Sequence, residues 1–514
     1  MNSFGPHLKL WSSSHDEWEI SVLYGKIGEA PPSFSYKLPS EGSYQLAEME
    51  LLETRGELTY FRVRFEVPLR ASHTRVDYKV GGKRYSFHVP ELHRMPKVCY
   101  GSCNGFHSQK ILKEFVEGGK GNAMKATERW RNMLQYHSSR RYNVCILGGD
   151  QIYSDIALEG FEDHVLKWSW HTTRSERKAR SLTAGEVEAL RDLYTDMYVN
   201  SWGRNPEMKK MLSTCPSLMM WDDHDIMDGW GSYEDEREKW PVFKEGVFPE
   251  ARRAFLLFQH HCKPNEKPGG SLGTRNNFST GHVMGSLGVV HLDTRSERTQ
   301  HQVMSEKNWE KFAQWRESNT ELKHLFLCVS VPMVYADFET IEKILRLIPF
   351  DQGIEDDLRD HWRSVPHQVC RERLLKDLFA YSKESACRVT IISGDVHVAA
   401  HGVVELKDGQ GDHTRTNRIH QLISSPIMNK AGNPVVEKLV EWQGDAAEVI
   451  NPTMSARMLP LQVAIGTNGA SSKTARYVWE RNWLSLLPQD DDAYRAEWYF
   501  EGSNYPCREI VYSV

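Results

Sequence analysis

Tyr142-Asn143-Val144-Cys145-Ile146-Leu147, followed at once by Gly148-Gly149-Asp150, is the stretch that decides the fold. A short apolar run without polar alternation reads as a strand buried on both faces, the mark of a parallel sheet covered by helices. The glycine pair lets the backbone turn sharply at the strand's end, and a carboxylate follows directly. The pattern recurs along the chain. Val98-Cys99-Tyr100 ends in Gly101-Ser102-Cys103-Asn104-Gly105, and Leu218 to Trp221 ends in Asp222-Asp223-His224-Asp225. Leu287 to Leu292 ends at Asp293, Leu325 to Val329 at Ser330, and Arg388 to Ile392 precedes Ser393-Gly394-Asp395. Helical periodicity separates most of these runs: Ala126, Trp130, Met133 and Leu134 share a face, and Ala184 to Tyr198, Glu306 to Arg316 and Cys370 to Lys383 read as helices. Strands alternating with helices predict an α/β fold, and such sheets take ligands at the carboxyl ends of their strands.

Outward from this frame the pattern changes. Before Pro96 the chain alternates apolar and polar residues, as in Tyr60 to Val67, and Arg75 to Val80, Gly81-Gly82 and Lys83 to Val89 read as a hairpin. This predicts a small antiparallel β-sandwich over 1–92. A catalytic unit is expected over 93–450, with insertions near 154–215 and 334–366 that form either rim packing or a substrate wall. The segment 451–514 is expected to complete or cap the core. With 514 residues the chain exceeds one compact core, which stops growing at roughly 250–300 residues.

Composition excludes several classes. An apolar fraction of 40% with 26% charged residues is that of a globular chain rather than a disordered one. A net charge of −5 without a basic stripe gives no nucleic-acid-binding signature. Leu325 to Val334 is too short to span a bilayer, so no transmembrane segment is expected. Nine cysteines, an odd number without framework spacing, and the lack of a signal or twin-arginine leader point to a cytoplasmic protein. Oligomeric state is not legible.

The chemistry gathers at the strand ends. Asp150 after the Gly-Gly turn is placed to bridge two cations, and Tyr153 three residues on can return its phenol to the same point. Asp222, Asp223, Asp225 and Asp228 with His224 put four carboxylates and an imidazole within seven residues, directly after a buried strand. Cations relieve the repulsion that such a cluster builds. His224 is a candidate proton donor whose tautomer Asp225 would fix. Asp395 and His397 can face one ion, whereas His401 reads as a buried, hydrogen-bonded histidine. Cys103 is either a thiolate ligand or a small apolar core group. Cys99, inside its strand, reads as core. Arg295 and Arg298 either clamp phosphate oxygens or pair with neighbouring acids.

Taken in order, Gly101-Ser102-Cys103-Asn104-Gly105, Gly148-Gly149-Asp150-Gln151-Ile152-Tyr153, Asp222-Asp223-His224-Asp225 and Ser393-Gly394-Asp395-Val396-His397 resemble the PhoD-like alkaline phosphatase/phosphodiesterase family of the calcineurin-like metallophosphoesterases. The similarity runs from about Pro96 to Pro426. It implies a four-layer α/β/β/α sandwich preceded by a small N-terminal β-sandwich domain. It also implies metal-dependent hydrolysis of phosphate monoesters or diesters, with Fe(3+) and Ca(2+) as cofactors; zinc or manganese on the same ligands is the alternative. By motif position Cys103, Asp150 and Tyr153 would hold iron, with Asp395 or His397 completing the shell. Asp150 would bridge to calcium, held by Asp223 and Asp228, the latter where relatives often carry Asn. Arg295 and Asn104 are candidates for contacting phosphate. The partner expected is a small-molecule phosphate ester. The rival class is a non-catalytic scaffold, which the clustered acids disfavour.

Overall fold

A computed structural model describes residues 2–511 except 40, 107, 119–121, 162–172, 234, 336–366, 408–416, 431–439, 441–446, 466–470, 490–492 and 504. The insertion near 334–366 lies almost wholly outside the described residues, as does the Trp168–Trp170 stretch of the earlier one.

The fold is mixed α/β, built on two large sheets. Three buried strands, Val98–Gly101, Val144–Gly148 and Ser217–Met220, run parallel side by side. They form the middle of a ten-stranded sheet. Ser3–Ser13 lies parallel to Ser217–Met220 and carries the sheet onward through Glu17–Ile27, Leu58–Pro68 and Glu50–Arg55, all antiparallel. On the other side Asn482–Pro488, Tyr494–Phe500 and Cys507–Val511 extend it from Val98–Gly101. Both chain ends therefore hydrogen-bond into the sheet that holds the central motifs. A separate four-stranded sheet holds the remaining early strands, where Thr74–Val80 and Lys83–Val89 pair through Gly81 and Gly82 at φ 54° and 78°. Left-handed backbone at both central residues is what a two-residue hairpin turn requires.

The nine-stranded sheet is centred on Leu287–His291, His324–Cys328, Arg388–Ser393 and Arg418–Ser424, mutually parallel. Thr280–Met284 flanks one side, and Ala399–Leu406 with Met454–Leu459 the other. Strand alternation sorts the side chains. Tyr100, Ile146, Leu218 and Met220 of the first sheet share one core with Val289, Phe326, Cys328 and Ile392 of the second. The alternate residues Cys99, Cys145, Leu147 and Met219 pack against Trp130 and Met133 of helix Glu128–Arg140 and Leu190 and Tyr194 of helix Ala184–Ser201. On the second sheet Val290, Leu325, Leu327 and Ile391 pack against Phe312 of helix Glu306–Glu317 and Leu374 and Leu378 of helix Gln368–Ser385. Cys99 is wholly buried, and His401 is buried with Nε2 2.9 Å from His420 Nδ1. Among the described residues no helix is long and apolar enough to cross a membrane.

Candidate metal centre

Each motif sits where a parallel strand runs out. Cys103 follows Val98–Gly101, Asp150 follows Val144–Gly148, and Asp222 to Asp225 follow Ser217–Met220. Asp395 and His397 follow Arg388–Ser393 of the other sheet, so the site spans the carboxyl ends of both. The turns are tight. Cys103, Asp150, Asp395 and His397 have φ of 53°, 52°, 65° and 51°, a left-handed backbone that costs a non-glycine residue roughly 1–2 kcal/mol. Strain held in three of the four motifs is the pattern of a site whose geometry the surrounding fold enforces. Gly394 permits the close approach, because a Cβ there would lie 2.1 Å from Ser102 Oγ.

The acids converge. Asp150, Asp222, Asp223 and Asp395 each place a carboxylate oxygen within 4.8 Å of the others, and Asp150, Asp223 and His224 form a second such group. Cys103 Sγ lies 3.4 Å from Asp150 Oδ2 and 3.8 Å from the Asp395 carbonyl oxygen. The Tyr153 hydroxyl is 3.4 Å from Asp150 Oδ2 and 3.0 Å from His397 Nε2. Among the described residues, Cys103, His397 and Asp228 join neither of these groups. Cys103 and Tyr153 flank Asp150, and His397 flanks Tyr153. The Asp228 backbone N–H donates to Asp155 Oδ1 at 2.6 Å.

Burial and mutual repulsion set the charges. Burial raises Asp150 well above the ordinary carboxylate range; His224 opposes this, while Asp222, Asp223 and Asp225 reinforce it. Burial followed by Asp150 and Asp395 pushes the Cys103 thiol up, and burial with Cys103 and Asp150 does the same to Tyr153. Burial pulls the His224 imidazole down, but Asp155, Asp223 and Asp150 outweigh it and raise it well above the usual histidine value. Among the described residues, Asp150 Oδ1 is buried without a hydrogen-bond partner. A carboxylate oxygen left so is costly unless a cation meets it. Hard carboxylate oxygens with a thiol, a phenol and imidazoles beside them are a donor set that fits one or two metal ions.

Several expected roles are redistributed. The partner of His224 Nδ1 is Asp155, which begins helix Asp155–Phe161, and not Asp225. Asp225 instead accepts the backbone N–H groups of Asp222 and Gln151, at 2.9 and 3.1 Å, and the Gln259 amide at 3.0 Å. It is a brace for the two motifs, because those donors occupy its oxygens. Arg295, fully buried, pairs through Nε with Asp222 and lies 3.3 Å from Asp223 Oδ1. Arg298 Nε donates to Ser232 at 3.2 Å, and its guanidinium is 3.2 Å from His367. Asn104 is buried, accepts from Trp130 Nε1 at 2.8 Å and has its amide nitrogen 3.4 Å from Met208 Sδ. Asp155 and Gln259 were not singled out from sequence. Asp155 lies two residues past Tyr153, a proximity that could have flagged it, whereas nothing local marks Gln259.

The chain matches the family model "PhoD related phosphatase" over residues 71–352 and 349–500. It is 27% identical over 513 residues to the uncharacterized protein YGR266W of Saccharomyces cerevisiae, covering 84% of this chain and 70% of that one. Among solved structures, one titled "Structure of PhoD" aligns over 99% of this chain and 90% of its own at a TM-score of 0.55 and 12% identity, which is a likeness of fold. A dimetal phosphatase from Danio rerio aligns over 82% of this chain and 100% of its own at a TM-score of 0.35 and 9% identity. With the family model matched across most of its length, this chain belongs to the PhoD related phosphatase family.

Proposed function

We propose that the chain hydrolyses phosphate monoesters or diesters at a two-cation centre built on Cys103, Asp150, Tyr153, Asp223, Asp395 and His397, with Asp222 and Asp228 at its edge. Family membership and the acid cluster support a metal-dependent phosphoesterase. The observation that carries the reading is the convergence of Asp150, Asp222, Asp223 and Asp395 within 4.8 Å from two sheets. Carboxylates so placed and so buried repel one another, and bound cations reverse that cost.

Cations at this cluster would supply Lewis acidity toward the phosphoryl oxygens. The chain's own residues do the rest. Asp150, with Oδ2 3.4 Å from both Cys103 Sγ and the Tyr153 hydroxyl, would be the carboxylate shared by the two cations. Arg295 ties Asp222 and Asp223 together and keeps their oxygens aimed inward, a role its partners favour over direct phosphate contact. Asn104 anchors its loop to Trp130. His224, with Nδ1 committed to Asp155, has Nε2 left to hand a proton to the leaving oxygen. Iron and calcium are the cations proposed, with zinc or manganese the alternative. The phenol of Tyr153 beside Asp150 favours iron, since phenolate is a hard donor. An absorption band in the visible, lost in Tyr153→Phe, tests that choice.

The four-layer α/β/β/α arrangement and a separate N-terminal β-sandwich domain are likewise proposed, the first supported by the three core clusters. The division at residues 92 and 450 stands on the same footing. Ser3–Ser13 and Asn482–Pro488 hydrogen-bond to the central strands, so the units proposed would share a sheet. Nine cysteines without a disulfide among them support the cytoplasmic location proposed. The decisive assay is turnover of bis(p-nitrophenyl) phosphate and p-nitrophenyl phosphate by the full chain, with and without chelator. Hydrolysis abolished by chelator and restored by metal is expected; no turnover with any of the four metals would overturn the reading.

A further inference from the structure

At the opposite end of the same strands lies a cavity of about 450 Å³, walled by Arg94, Lys97, Arg140 and Arg141. Lys97 immediately precedes strand Val98–Gly101, and Asn143, also in the wall, precedes Val144–Gly148. Counting six residues of extended chain from Lys97 to Cys103 puts the cavity roughly 20 Å from the metal centre. The two share no residue.

Its charge is one-sided. Among the described residues, the wall holds one acid, Glu91, against four cationic side chains. Arg140 is spoken for: it pairs with the buried Glu497, which Arg495 and Arg508 also approach at 3.0 Å each. Lys97 Nζ donates to the Arg140 carbonyl oxygen at 3.2 Å, which leaves its charge unneutralised. Arg141 is exposed, and among the described residues its side chain has no hydrogen-bond or ion-pair partner. Even with Glu91 matched against one cation, positive charge is in excess. The imidazole of His73, in the same wall, reports the field: burial, then Lys97 and Arg141, hold it below its ordinary value. Pro90, Met95 and Pro488 give the remaining wall an apolar surface.

We propose that this cavity is a second binding site, for a small organic phosphate, with the anionic group held by Lys97, Arg94 and Arg141 and the organic body against Pro90, Met95 and Pro488. Guanidinium pairs recognise phosphate oxygens in bidentate fashion, and a cavity of this volume is of ligand-pocket size. A phosphate-bearing ligand here would occupy the chain without being hydrolysed, because the Asp150, Asp222, Asp223 and Asp395 cluster lies at the other end of the strands.

Calorimetric titration of the full chain in chelator, with adenosine 5′-monophosphate as the probe, tests this. One mole bound per chain is expected, with Arg141→Gln and Arg94→Gln each weakening binding at least tenfold and Asp150→Asn leaving it unchanged. Inorganic phosphate should bind more weakly than the nucleotide, and adenosine not measurably. Phosphodiester turnover by metal-loaded Arg141→Gln should equal that of the unaltered chain. Absence of saturable binding overturns the proposal. So does unchanged affinity in Arg141→Gln, loss of binding in Asp150→Asn, or adenosine or inorganic phosphate matching the nucleotide.

Discussion

Asp150 and Asp155 lie five residues apart and carry different work. Among the described residues, Asp150 has a buried, unpartnered oxygen at the meeting point of Cys103, Tyr153 and the other acids. Replacing it with Asn keeps the volume and removes the charge that holds a cation. The expected outcome is a loss of turnover of 10³-fold or more, on the order of 4 kcal/mol of transition-state stabilisation, together with a fall in bound metal measured by elemental analysis. Asp155 acts through His224 and is a positioning residue. Asp155→Asn should lower kcat roughly 10–100-fold, less than the roughly 10²–10⁴-fold of losing a general acid outright because His224 itself remains, while metal content stays near that of the unaltered chain. Equal metal loss in both variants would show that Asp155 is part of the cation cage. The motif residues were legible in the sequence because each follows an apolar strand. The partners were not: Asp155 and Gln259 meet the motif through folding, and a run of four acids does not reveal which of them points inward. Asp225 turns back to accept N–H groups of its own loop and of Gln151.

At the scale of elements, the buried parallel strands and the helices between them could be read because each has one period and no competing signal. Strand partners could not. Ser3–Ser13 pairs with Ser217–Met220, some two hundred residues away, and nothing in its alternation names that neighbour. Alternation shows that strands exist, not which sheet receives them. The helices have a sharper dependence on packing. Phe312 of helix Glu306–Glu317 is buried against the second sheet at 1% exposure, with the Arg316 guanidinium 4.6 Å from its ring centre. Phe312→Ala removes a large apolar side chain from a closed core and should cost about 3–5 kcal/mol. The midpoint of urea unfolding checks this. A change under 1 kcal/mol would mean that the helix is not packed as described. Gly394→Ala tests the site from the element side. Its Cβ would meet Ser102 Oγ at 2.1 Å, so the loop bearing Asp395 must shift, with activity falling further than stability.

Across the whole molecule, burial of histidine sets the response to acid. His7, His260, His261, His282, His291 and His401 are all buried, and burial holds each far below the ordinary value, His7 and His291 at about 3. For the first five, the neighbouring charge of Lys9 or Lys209 adds to the effect. In the unfolded chain an imidazole takes a proton near pH 6.5. Below that pH the unfolded state binds protons that the native state refuses, so stability is intact above about 6.5 and drains as the pH falls toward 3. Asp150 and Asp225 work the other way, since burial raises them, Asp225 to about 7, and the native state then holds more protons than the unfolded one. His88, His137 and His420, held down to about 4 mainly by burial, act with the six, while His224, raised well above its ordinary value, acts with Asp150 and Asp225. The lowered imidazoles outnumber the raised groups, so below about pH 6.5 unfolding takes up protons on balance. The chain should therefore unfold at clearly lower urea at pH 5.5 than at pH 7.5, in chelator so that metal release does not contribute. His282→Gln should flatten that dependence by about one proton. A midpoint that holds or rises on acidification would sink this account, because it would mean that these imidazoles reach water or carboxylates in the native state.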